Sequence, residues 1–181
     1  MKGLIFREFL EMIELKSGYE LVDEILLNTS LESKGIYTTV GTYDHRELFV
    51  LATSLSEKTG IPMTQVFKNF GIHVFGVLSK SFSAMIAPYS DPFEFLTKIE
   101  NTIHVEVLKL YPEAELPTFT IEKKSENAIT MIYKSKRRMA DFAEGLITGC
   151  FEYYNAKAEI EKLPLNDEMT LVKFIIKRTK L

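Results

Sequence analysis

The chain has 181 residues, a formal net charge of −3, 46% apolar residues and 26% charged residues. That length supports burial of about 70% of the unfolded surface, and the composition excludes bulk disorder. The mild acidity argues against a general nucleic-acid binder, which carries a basic excess. Cys150 is the lone cysteine, so an internal disulfide and a cysteine-rich zinc site are excluded, as befits a reducing cytoplasm. Leu4, Ile5 and Phe6 are soon interrupted by Arg7, Glu8 and Glu11, and no apolar stretch reaches the roughly 18–20 residues of a membrane span. The expectation is a cytoplasmic protein with no signal peptide and no membrane insertion.

The first hundred or so residues carry helical periodicity. Leu4, Ile5, Phe9, Met12 and Ile13 repeat at helical spacing, and Leu21, Ile25 and Leu26 resume it after Gly18. Asp44 and Glu47 have the spacing of a capping box, opening a helix that stops at Gly60. Pro62 starts another, carrying Val66, Phe67, Phe70, Val74, Val77 and Leu78. Asp91, Pro92 and Glu94 open a helix predicted to run to Tyr111, where Pro112 ends it.

After Pro117 the period becomes two. Phe119 and Ile121 alternate with polar residues, and Ser125-Glu126-Asn127 turns the chain into a strand from Ala128. A helix over about Arg138–Tyr154 precedes two strands, near Ala156–Lys162 and Met169–Lys177. The fold class is therefore α+β, with a helical N-terminal part packed on a C-terminal part that holds a four-stranded antiparallel sheet and helices. No repeat, linker tract or low-complexity segment divides the chain.

Two features stand out from an ordinary core. His104 lies beside Ile103 and one turn from Val107 and Leu108, on the apolar side of its helix. Either it is a core histidine bonded to a backbone carbonyl, or it is a lone imidazole ligand. An apolar setting without Cys or His companions suits haem better than zinc. His45, beside Asp44 and Arg46, reads as solvated; His73 reads as partly buried between Phe70 and Val77.

The second feature is the strand running from Ala128 to Arg137. Its odd positions place Tyr133, Ser135 and Arg137 in one row with Ile129 and Met131. A partly buried arginine needs an anionic partner, and its fork suits a carboxylate. That partner is either an internal acidic residue or a bound carboxylate held by all three donors. Together, one apolar-face imidazole and a row of carboxylate donors match a haem, with its iron and two propionates.

At these residues the chain resembles the haem-nitric oxide/oxygen binding (H-NOX) family, the family of the soluble guanylate cyclase sensor domain. The resemblance spans the opening Met1-Lys2-Gly3-Leu4-Ile5-Phe6, Phe70-Gly71, His104-Val105-Glu106-Val107 with Leu110-Tyr111-Pro112, Leu116-Pro117-x-Phe119 and Tyr133-x-Ser135-x-Arg137. It implies a single domain over residues 1–181, with subdomains of about 1–65 and about 66–181 and haem b between them. It further implies that His104 is the proximal iron ligand and that Tyr133, Ser135 and Arg137 hold the propionates. Pro117 and Ile5 then distort the macrocycle, and Phe9, Val74, Leu78, Phe142 and Leu146 form the distal pocket. Gly71 is a candidate hinge, although close helix packing accounts for a glycine there equally well.

Oxygen-binding members carry a distal tyrosine five residues after the motif arginine, where this chain has Phe142; Phe9 and Val74 stand where those members have a supporting tryptophan and asparagine. Bound dioxygen gains from a donor, whereas nitric oxide does not require one, so an apolar pocket favours nitric oxide, with carbon monoxide also expected to bind. The implied mechanism is release of His104, relaxation of the haem and rotation of the two parts. The signal would pass to a separate histidine kinase or cyclic-dinucleotide enzyme. The competing readings are a haem enzyme and a haem-free carboxylate-binding module. The first lacks an evident acid–base group on the distal side unless His73 points inward.

Overall fold

The computed structural model describes residues 1–179. Four helices form the N-terminal half: α1 (Gly3–Ser17), α2 (Tyr19–Leu27), α3 (Arg46–Thr59) and α4 (Met63–Ser81). Phe6, Phe9, Met12 and Ile13 of α1 repeat at helical spacing and face Leu48 and Leu51 of α3 and Val66, Phe67, Phe70 and Val74 of α4 in one apolar core. The first core therefore extends into α4, past the boundary near residue 65, without a break in packing. Gly60 ends α3 in the left-handed conformation, with its N–H returned to Ser56 O, as the glycine after an apolar run predicts.

The expected capping box at Asp44 and Glu47 forms only in part. Asp44 Oδ1 accepts from Arg46 N, but Glu47 does not reach back to the cap. Its carboxylate accepts instead from the Ser33 N–H, the Ser33 hydroxyl and the Tyr37 hydroxyl, at 3.0, 2.5 and 2.7 Å. Tyr37 stacks on Phe6 with centroids 4.4 Å apart, which delivers its hydroxyl there. Three donors from a distant loop outbid one local N–H.

The predicted helix from Asp91 to Tyr111 is broken into three. After the short α5 (Ser83–Ile86), Asp91 caps α6 (Pro92–Leu96) by accepting from Phe93 N and Glu94 N, as expected. A π-helical turn then covers Ile99–Ile103, and α7 runs over His104–Leu110. Phe93, Phe95 and Leu96 are buried in the second core, against which Ile99 and Ile103 also pack, and Phe95, Leu96, Ile99, Ile103 and His104 all line a cavity. The extra residue in the turn rotates the later side chains out of the register of the earlier ones. Such turns recur at functional sites.

The sheet has order β1-β2-β4-β3 and is antiparallel throughout, with β1 (Thr118–Lys124), β2 (Ala128–Lys134), β3 (Lys157–Pro164) and β4 (Leu171–Thr179). α8 (Ala140–Tyr153) links β2 to β3. Phe119, Ile129, Met131, Tyr133, Val172, Phe174 and Ile176 form the second core with Ala143, Ile147, Cys150 and Phe151 of α8. Strand β2 ends at Lys134, earlier than the pattern suggests. Ser135 N still bonds Thr170 O, and the chain then turns at Arg138, where φ is +57°. Ser135 and Arg137 are therefore placed by a turn, not by strand alternation.

The two cores meet along α4 and α8. Leu146 packs against both, and Phe9, Phe70 and Phe142 form a continuous row of rings with successive centroids 5.0 Å apart.

Candidate functional site

Between the cores lies a cavity of about 480 Å³, within the roughly 300–1,000 Å³ typical of ligand sites. Its wall draws on α1 (Leu4, Ile5), α4 (Phe75, Leu78), α8 (Phe142, Leu146, Ile147, Cys150), the π-helical turn and α7 (Ile103, His104, Val107), and the segment Leu116–Phe119. Tyr133, Ser135 and Arg137 line the same cavity.

His104 is largely shielded from water, and burial lowers its pKa from the ordinary 6.5 against the opposing pull of Glu100. Its ring stays neutral near pH 7, the form in which an imidazole can be a ligand. His104 Nδ1 is 3.0 Å from Glu100 Oε1, and the ring packs 6.1 Å from that of Phe119. Phe119 is paired with Tyr133 across β1 and β2, with ring centroids 5.4 Å apart. The imidazole and the donor row are thus joined through two adjacent strands.

Tyr133 is almost fully buried, and burial raises its pKa while bonds to the Ser135 hydroxyl and Met139 backbone oppose the rise. The phenol remains a protonated donor. Ser135 Oγ accepts from Arg137 N at 3.2 Å, which holds the turn. Arg137 donates to Glu115 Oε2 at 2.7 Å, an internal carboxylate of the kind the sequence allows. The pair is lopsided: the Glu115 side chain is 84% exposed, the Arg137 side chain 18%.

Of the other expected residues, Ile5, Pro117, Leu78, Phe142 and Leu146 line the cavity. Phe9 and Val74 are not in its wall; they sit in the first core, Phe9 against Phe70, which in turn backs Phe142. Gly71 also lies behind the wall, where α4 crosses α8: a Cβ there would stand 2.7 Å from Gly145 Cα and overlap Phe142 O. His73 turns away, its Nε2 3.1 Å from Glu8 Oε2. His45 is partly exposed beside Asp44, at 3.5 Å. Burial drives the Cys150 thiol far above its ordinary range, so it lines the cavity as a neutral group.

Sequence reading missed Glu100 and Glu115. The four-residue spacing of Glu100 and His104 was the available signal for the first. Nothing local marked the second. Among the described residues no group of three or more His, Cys, Asp or Glu side chains is placed to hold a metal ion, and no helix is long and apolar enough to cross a membrane. The arrangement suits a large apolar guest that carries carboxylates at one edge and a metal accepting one nitrogen.

Comparison with known proteins agrees with that chemistry. The family model described as Haem-NO-binding matches residues 2–162. The Fe(II) unliganded H-NOX protein of K. algicida has 45% identity over 100% of this chain and 98% of its own, with a TM-score of 0.94. The H-NOX of Shewanella woodyi in its Fe(II)CO state has 43% identity over 99% and 95%, with a TM-score of 0.84. The H-NOX protein of S. oneidensis in its Fe(II)NO state has 26% identity over 99% and 100%, with a TM-score of 0.89. No curated protein matches the sequence.

Proposed function

The chain belongs to the haem-NO-binding (H-NOX) family, a family of haem gas sensors, and on that premise we propose that it is a nitric oxide sensor and not an enzyme. The observation that carries this reading is the convergence of His104 and the Tyr133, Ser135, Arg137 row on one apolar cavity. The residues fit haem b. His104 offers a neutral, buried imidazole nitrogen to the iron, and the three donors at the edge suit two propionates. Bound haem supplies a ferrous iron that takes a diatomic gas, nitric oxide above all and carbon monoxide as well.

The remaining work belongs to the chain. Ile5, Leu78, Phe142 and Leu146 exclude water and present no hydrogen-bond donor to the gas. Nitric oxide needs none, whereas dioxygen gains about 0.5–1.5 kcal/mol or more from one, so the wall selects against stable oxygen binding. Pro117 and Ile5 line the cavity wall, from which they would press on a bound macrocycle. His104 is the first residue of α7, so a change in its position moves that helix against the cavity. The N-terminal helices then turn relative to the part that holds the sheet, and a separate histidine kinase or cyclic-dinucleotide enzyme in the cytoplasm reads the change. Peroxidase-like chemistry has less support, because His73 is bonded to Glu8 instead of facing the cavity.

The test is an ultraviolet–visible spectrum of the reduced protein under nitrogen, then air, then nitric oxide. A ferrous haem spectrum that ignores air and responds to nitric oxide supports the reading. A stable spectral change in air removes the selectivity claim. A colourless protein, even after reconstitution, removes the haem assignment and favours a carboxylate-binding module.

A further inference from the structure

Glu100 sits one turn before His104, inside the π-helical turn, and one of its oxygens faces two partners. Oε1 lies 3.0 Å from His104 Nδ1 and accepts the Phe119 N–H at 2.8 Å. Phe119 is the inward residue of β1 that packs on the His104 ring, two positions after Pro117. A single carboxylate oxygen therefore joins the imidazole to the edge of the sheet. An acceptor at Nδ1 keeps the ring proton there, leaves Nε2 with its lone pair, and makes that nitrogen the stronger donor to a metal.

We propose that Glu100 is the positioning residue of the sensor: it fixes the orientation and tautomer of His104, strengthens its bond to the iron, and ties that bond to β1 through Phe119. The proposal rests on the reading of His104 as the haem ligand. It makes Glu100 a setting for how readily nitric oxide frees His104. A negative acceptor holds the ligand more firmly than a neutral one, and its loss eases release. The alternative role is a plain clamp between helix and strand, in which the carboxylate serves Phe119 alone.

A graded pair of variants separates the two roles. Glu100→Gln keeps an oxygen that can accept from both partners and removes the charge; Glu100→Ala removes both. The readouts, taken on the haem-loaded protein, are the iron–histidine stretching frequency of the ferrous state and the His104 Nδ1–H resonance of the diamagnetic Fe(II)CO state. The frequency is expected to fall stepwise from wild type to Gln to Ala, and the Nδ1–H signal, protected from solvent in wild type, to exchange rapidly in Ala. Ferrous haem is retained about 10–100-fold less tightly in Ala, the usual effect of losing such a partner. An unchanged frequency in folded Ala protein overturns the proposal and leaves the clamp. Should Ala not fold, the Gln variant decides alone, an unchanged frequency again overturning it. A wild-type protein that binds haem without an iron–histidine band defeats the underlying reading of His104 first, an outcome distinct from a band indifferent to Glu100.

Discussion

Gly71 and Gly145 face each other where α4 crosses α8, so closely that a Cβ on Gly145 would stand 2.8 Å from Gly71 Cα and overlap the Lys68 carbonyl oxygen. The obstacle is backbone on both sides, which no rotamer change relieves. Gly71 keeps a negative φ, so the observed conformation uses the absence of a side chain, not the freedom of glycine. Close helix packing therefore accounts for glycine at both positions.

Gly145→Ala is therefore expected to force the helices apart and to cost about 1–3 kcal/mol, with Tm falling roughly 2–4 °C per kcal/mol in a domain of this size. Gly76→Ala is the internal control. It lies on the exposed face of α4 with no atom within 4 Å of its Cβ position, and should gain about 0.8–1 kcal/mol from helix propensity. Thermal melts check both. Equal Tm values for the two variants would mean that the crossing is loose.

The ion pair between Arg137 and Glu115 bears on ligand capture. Glu115 is solvent-exposed, and such pairs contribute about 0–1 kcal/mol. Bonds from an arginine fork to a bound carboxylate in a shielded cleft contribute about 1.5–3 kcal/mol. The guest's carboxylate should displace Glu115, not the reverse. Glu115→Gln is expected to leave Tm nearly unchanged and haem content equal or higher, while Arg137→Ala lowers haem content on purification. Full haem retention in Arg137→Ala would remove that residue from the site.

What was legible in the sequence was what local pattern determines. The glycine stop at Gly60, the Asp91 cap, the strand period after Pro117 and the inward face carrying Tyr133 all depend on residues a few positions apart. What was not legible depends on partners far along the chain. Glu47 serves Ser33 and Tyr37 instead of its own helix end. The π-helical turn between α6 and α7 carries Glu100, whose carboxylate accepts the Phe119 N–H of β1, a partner far along the chain. At the site, the family resemblance matches Phe9 and Val74 to the distal pocket, whereas packing sets them one layer behind the cavity wall. Glu115 finds Arg137 only through folding.

The α4–α8–β3 junction gives the protein a predictable acid limit. Burial pushes Glu144 upward in pKa, but Lys68 and Lys162 at 2.7 and 2.9 Å outweigh it, and the net shift is below the ordinary 4.5. A carboxylate held below its unfolded value adds stability above that value and loses it as pH falls through the lowered one. Lys162 is the mirror case. Burial lowers it, Asp141 and Glu144 more than compensate, and its net shift is above 10.5. Its contribution is complete below 10.5 and fades as pH rises through the raised value. Tm should be flat from about pH 5 to 10 with respect to this cluster and decline below pH 4.5. Glu144→Gln should lower the plateau and shallow the acid decline. Melts across pH 3–7 test this; an acid slope identical to wild type would place the sensitive group elsewhere.

Phe142 is where gas selectivity should be open to change. Its ring lines the cavity and rests on Phe70, so a tyrosine hydroxyl there adds a donor to the stretch of wall formed with Ile5, Leu78 and Leu146, which carry none. A single net hydrogen bond contributes about 0.5–1.5 kcal/mol, and 1.4 kcal/mol is tenfold in affinity, so Phe142→Tyr should tighten oxygen binding by up to about tenfold. The gain should stay at the lower end of that range, because Phe9 and Val74 behind the wall supply no polar partner to aim the phenol. The same hydroxyl is unsatisfied when no gas is bound, at a cost of about 1–3 kcal/mol, and Tm of the gas-free protein should drop accordingly. Oxygen titrations followed in the visible spectrum, with nitric oxide binding as the reference, give the answer. Tighter oxygen binding with unchanged nitric oxide binding places residue 142 against the gas. Unchanged oxygen affinity in a variant that still takes nitric oxide would mean that the side chain points past it, and that selectivity is set by Ile5, Leu78 and Leu146 instead.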